Sequence, residues 1–145
     1  MTGEAFLSLA IRLSGGVSEA EYRTSVSRAY FGAFHVAREF CLSLGIQLPA
    51  TDGAHTKLRH CLANCDDASA KMAANLLKSL RDLRNDADYE IDSADFEHAS
   101  SAVVGTRLAR RVCDLFAECG VPARRVAMTP KIRDYASRVL RFPVT

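Results

Sequence analysis

The sequence predicts an all-α fold, an up-and-down bundle of four to five antiparallel helices, and three observations carry that prediction. Apolar residues recur at helical spacing from Tyr22 to Leu44, and with the capping residues before them the segment amounts to about seven turns. Helix breakers are scarce, with eight glycines and four prolines in 145 residues. No pair of segments alternates polar and apolar residues on either side of a tight turn, so no strand pair is expected.

A first helix is expected over residues 3–14, stopping at Gly15-Gly16. Ser18 and Glu21 then have the spacing of a capping box, in which each side chain satisfies an orphan backbone N–H. Tyr22, Val26, Ala29, Tyr30, Ala33, Phe34, Ala37, Phe40, Cys41 and Leu44 form the apolar face of the helix this box opens. Gly45 ends it where a left-handed residue is wanted. At 1.5 Å per residue this helix is about 40 Å long, the spine of the bundle. Residues 46–53 read as a loop, and 54–64 as a short helix with Leu58, Cys61 and Leu62 inward. Asp66 or Asp67 caps a helix over 67–89, whose apolar face is Met72, Ala73, Leu76, Leu77, Leu80, Leu83 and Ala87. Asp92 or Ser93 caps another over 93–119, burying Phe96, Ala99, Val103, Leu108, Val112, Leu115 and Phe116, and ending at Gly120. Short loops make neighbouring helices antiparallel. Residues 1–119 are thus the bundle, and 120–145 a basic tail with at most one short helix, opened by Pro130.

Composition narrows the function classes. No run approaches the roughly eighteen apolar residues of a membrane helix. Glu4 stands where a signal peptide would be basic, so the N-terminus reads as a helix. The five cysteines include no CxxC pair, and four sit in apolar helical patterns, which points to a reduced, cytoplasmic protein. The net charge of +2 is unevenly spread. Residues 120–145 hold Arg124, Arg125, Lys131, Arg133, Arg138 and Arg141 against Asp134 alone, a net of +5. A basic tail on a mildly acidic body suits a nucleic acid or an acidic partner, and equally a solvated tail.

Two segments concentrate the polar chemistry: SRAYFGAFHVAREF, residues 27–40, and LRDLRNDADYE, residues 80–90. Together, at this spacing, they resemble the HEPN superfamily, in particular its branch with an SRAYY-x-x-FH-x-A second helix and an RN-x-ADY signature. The order of parts is similar as well: a long helix, a variable loop with a His near its end (His55), the signature helix and a final helix. The resemblance covers about residues 18–118.

The resemblance implies a HEPN-type bundle that dimerises through its signature helices, in a prokaryotic toxin–antitoxin or RNA-targeting defence system. Many members of the superfamily are metal-independent ribonucleases with an R-x4–6-H motif from each protomer. In such a motif a His takes the ribose 2′-OH proton and an Arg holds the phosphate. Here the R-x4-H position counted from Arg84 is Tyr89, and Asp88 is one residue short of it. Arg28 and His35 lie seven apart on the second helix, hence on one face, and satisfy R-x6-H on a different helix. The catalytic candidates are therefore Arg84, Asp88, Tyr89 and His35. The candidates for nucleotide or RNA binding are Arg28, Lys78, Arg84, Asn85, Arg124 and Arg125. Two functions follow from different classes: a dimeric binding module with a degenerate motif, and an active ribonuclease toxin. The resemblance also implies a nucleotidyltransferase partner that modifies a tyrosine near the motif, for which Tyr89 is the nearest candidate. The plainer reading of Arg84 and Asp88 is an i, i+4 ion pair, and of His35 a partly buried, satisfied histidine. No cofactor motif is present, and His55, His60, Cys61 and Cys65 match no zinc spacing, so neither a cofactor nor a metal is expected.

Overall fold

The computed structural model describes residues 1–49, 51 and 53–145; Ala50 and Asp52, in the predicted loop, lie outside them. Among the described residues the fold is all-helical, with Ile46 and Val144 meeting in one isolated β-bridge. The helices are α1 (Gly3–Ser14), α2 (Glu19–Ser43), α3 (Ala54–Ala63), α4 (Ala68–Tyr89), α5 (Ser100–Cys119) and α6 (Pro122–Arg138). Among the described residues no helix is long and apolar enough to cross a membrane.

The chain forms two compact units, Met1–Val36 with Leu76–Val112, and Ala37–Asn75 with Cys113–Thr145. In the first unit the capping box forms as its spacing predicts. The Glu21 amide donates to Ser18 Oγ at 3.3 Å and the Ser18 amide to Glu21 Oε2 at 3.0 Å. The Ser18 hydroxyl and the Val17 amide hold the Glu21 carboxyl below its ordinary pKa. Helices α1 and α2 cross closely: a Cβ on Gly32 would stand 3.0 Å from the Gly3 carbonyl oxygen and from the Leu7 amide nitrogen. Ser25 Oγ donates to the Ala10 carbonyl at 2.7 Å inside the same crossing. Val26, Ala87, Phe96 and Ala102 form a buried cluster, with Tyr22 and Leu83 against it.

In the second unit α3 packs on α6. Leu58, Cys61, Leu62, Leu115, Met128 and Ile132 are buried there, and the Phe40 and Phe116 rings lie 5.1 Å apart. Gly45 adopts φ +83°, the left-handed conformation expected at the end of α2. The Thr145 amide donates to the Gly45 carbonyl at 2.9 Å, and the Gln47 amide to Pro143 at 2.9 Å.

Three sequence expectations are corrected. The predicted helix 93–119 is broken. Ser93 does cap, accepting from the Asp95 amide, but only one 3-10 turn follows, Ala94–Phe96. The Ser101 hydroxyl then donates to the Asp95 carbonyl at 2.6 Å and holds the bend before α5. Residues 122–138 form a long helix rather than one opened by Pro130. Pro122 takes the first helical position, where a missing N–H costs nothing, and Pro130 lies inside the helix. Met72, predicted inward, is exposed on α4.

Candidate functional site

The residues nominated from the resemblance separate into two groups. Arg28, His35, Arg84, Asn85, Asp88 and Tyr89 all lie in the first unit. Phe31 stands at their centre. The Arg28 guanidinium is 5.3 Å from the Phe31 ring centroid and 5.6 Å from that of Phe6. The Arg84 guanidinium is 5.5 Å from Phe31 and 5.6 Å from Tyr89. His35 stacks on Phe6 with ring centroids 5.4 Å apart and 14° between planes. Rings and cations therefore alternate along a ladder, Tyr89, Arg84, Phe31, Arg28 and Phe6, with the His35 ring stacked at its end. Cation–π attraction, of about 0.5–2 kcal/mol for each pair, holds two like-charged guanidiniums around the Phe31 ring.

One carboxylate sits in the ladder. Asp88 Oδ2 is 2.6 Å from Arg84 Nε, the i, i+4 pair expected from the sequence. The Nε–H does not point along this contact, so it is an ion pair without an aligned hydrogen bond. The Arg28 Nε is likewise buried without an acceptor. Arg28 Nη2 donates to Ser27 Oγ at 3.4 Å, and Ser27 Oγ to Asp88 Oδ2 at 3.5 Å, both long bonds. Asn85 does not reach across the bundle; its Oδ1 accepts from Arg84 Nη1 at 3.2 Å. Tyr89 is 68% exposed, so its hydroxyl is open to solvent and not to the core. Two guanidiniums against one carboxylate leave the ladder with one cationic charge in excess.

Arg23, not among the candidates drawn from the sequence, positions the α4 side of the site. Arg23 sends Nη1 to the Ala87 and Glu90 carbonyls, at 2.8 and 3.1 Å, and Nη2 to the Ile91 and Ser93 carbonyls, at 2.8 and 3.2 Å. Its guanidinium also lies 4.7 Å from the Phe96 ring centroid. A cation at the carbonyl end of a helix satisfies orphan acceptors and complements the helix dipole. Arg23 thus fixes the last turns of α4, which carry Arg84, Asp88 and Tyr89, against α2. Arg23 also pairs with Glu19 four residues earlier, at 2.6 Å, and that i, i+4 spacing is the only local signal that could have drawn attention to it. Phe31 was detectable as the i+3 neighbour of Arg28. Phe6 was not, because only the α1–α2 crossing brings it there.

The remaining candidates are occupied elsewhere. Lys78 pairs with Asp82 at 2.8 Å on an exposed face, six residues and about 240° around α4 from Arg84. Arg124 and Arg125 belong to the second unit. Arg124 Nη2 lies 2.9 Å from Asp67 Oδ1 and 2.8 Å from Ser69 Oγ. Arg125 donates to the Ser43 carbonyl at 2.8 Å and Lys131 pairs with Asp66. Much of the basic tail is therefore matched to acidic and carbonyl groups of its own unit. Among the described residues no group of three or more His, Cys, Asp or Glu is placed to hold a metal ion. No protein-family model, curated protein or solved structure matches the chain.

Proposed function

We propose that this chain is a HEPN-type helical protein of a prokaryotic toxin–antitoxin or defence system, acting as a homodimeric binding module for a nucleotide or RNA, with a degenerate ribonuclease motif. One observation carries the reading: Arg28 and Arg84 both stand within 5.5 Å of the Phe31 ring centroid, with Asp88 paired to Arg84 and linked to Arg28 only through Ser27. Guanidinium forks suit phosphate oxygens, and the exposed ring of Tyr89 offers a face to a base. The ring occupies the position where an active motif would place its general base, which favours binding over cleavage. The exposure of Tyr89 also fits a nucleotidyltransferase partner that must reach it.

The test is a titration of the purified protein with AMP and with a labelled oligouridine, beside Arg84→Ala. The Arg84 and Asp88 side chains are 23% and 28% exposed, so their ion pair contributes at most about 1 kcal/mol to folding. The variant also forfeits the two cation–π contacts of Arg84, so its melting temperature should fall by several degrees, and below that temperature it should bind at least tenfold more weakly. Equal affinity in the variant would remove the reading, and a monomeric mass at micromolar concentration would remove the dimer. The alternative, an active metal-independent ribonuclease, has one observation in its favour: Phe6 carries both Arg28 and His35. Cleavage of RNA in EDTA that disappears in Arg84→Ala and in His35→Ala would establish it.

A further inference from the structure

Arg107 and Arg110 of α5 belong to neither the ladder nor the internally matched tail. Ser100–Val112, the part of α5 within the first unit, contains Arg107, Arg110 and Arg111 and no acidic residue. All three are exposed. Arg107 and Arg110 form no ion pair with a carboxylate among the described residues, and Asp114, one turn beyond Arg110, is exposed as well. At 100° per residue the three side chains share an arc of about 100° and are spread over about 6 Å of helix axis. Val104, 48% exposed, lies one turn before them on the same stripe.

We infer that this outer face of α5 is a docking surface for the phosphate backbone of a single-stranded nucleic acid. The forked cations Arg107 and Arg110, with Arg111 beside them and no acidic residue on α5 before Asp114, form a field that a polyanion neutralises. Arg, unlike Lys, grips phosphate oxygens in pairs. The long side chains reach successive phosphates along one strand, and Val104 gives a ribose or an unpaired base an apolar seat beside them. This contrasts with α6, whose higher formal charge is largely engaged by Asp66, Asp67 and backbone carbonyls. None of the ladder residues lies on this face of α5.

The test is fluorescence anisotropy of the full chain with a labelled oligouridine across a salt series, using the double variant Arg107→Gln, Arg110→Gln. Gln keeps helix propensity, so circular dichroism and melting should match the parent. Affinity should fall at least tenfold, and the log–log salt slope should shrink by about 1.4, two contacts at roughly 0.7 each for a single strand. AMP binding should be unchanged. Restoration by Arg107→Lys, Arg110→Lys of the salt slope but only part of the affinity would support forked recognition. An unchanged oligouridine affinity in the Gln variant, or no oligouridine binding by the parent, would overturn the inference. Equal competition by polyglutamate would overturn it in favour of an acidic protein. Loss of AMP binding in Arg84→Ala with no effect of the Gln variant on oligouridine would sink the α5 surface and leave the ladder standing. The reverse pattern would do the opposite.

Discussion

Asp67 is drawn in two directions at once. Burial raises the pKa of its carboxyl, but the Ala70 amide and the Arg124 guanidinium more than offset that and hold it below the ordinary value. A depressed folded-state pKa stabilises the fold at pH values above the unfolded value, near 4, and that contribution disappears as pH falls through the folded value. Denaturant midpoints should therefore drop from about pH 4 downward, and Asp67→Asn should flatten that limb while lowering stability at neutral pH. A parallel acid limb in Asp67→Asn would assign the sensitivity to other carboxylates. The capping role of Asp67 was legible in the sequence, since a short acidic side chain before an apolar periodic run is a local signal. Its pairing with Arg124, 57 positions away, was not. The same blindness left the +5 of residues 120–145 open between an external acidic or nucleic-acid contact and a solvated tail, when Arg124 and Lys131 answer Asp67 and Asp66, and Arg125 and Arg133 answer backbone carbonyls.

At the level of helices, the local signals were enough wherever a terminus is set by its own residues. The Ser18–Glu21 box and Gly45 bound α2 as expected. They were not enough where a side chain from a few residues on reshapes the backbone, as Ser101 does for Ala94–Phe96. Nor did they separate two prolines competing for one helix start, Pro122 and Pro130. The α1–α2 crossing makes a sharper prediction. Ala at position 32 gains up to about 1 kcal/mol of helix propensity over Gly. Its Cβ, however, meets backbone atoms of α1 at 3.0 Å, which cannot yield as a side chain can. Overpacking of this kind costs about 1–3 kcal/mol, so Gly32→Ala should be net destabilising in a urea titration. It should also weaken AMP binding, because α1 carries Phe6. A variant as stable as the parent would show that α1 can move outward freely.

For the whole molecule, α2, α4 and α5 each contribute residues to both units, so neither unit is a contiguous stretch that could be excised. All five cysteines fall in the second unit, and among the described residues none forms a disulfide. Cys41, Cys61, Cys65 and Cys119 are buried, and burial pushes the Cys61 and Cys119 thiols up to about 12. In the native protein at pH 8 a thiol reagent should therefore modify Cys113 at most, with the other four reacting only on unfolding. Prompt reaction of three or more would show that the second unit opens readily. Those thiols report on a part of the molecule that holds none of the ladder. The ladder has a different safeguard. The carbonyl end of a helix is normally where fraying begins, yet Arg23 closes the end of α4 over the Ala87, Glu90, Ile91 and Ser93 carbonyls. Arg84 and Tyr89 are thus preorganised. A ligand arriving there meets a receptor already in its bound shape and forfeits little conformational entropy on association, so binding should resemble a lock closing on its key more than a loop folding around a guest.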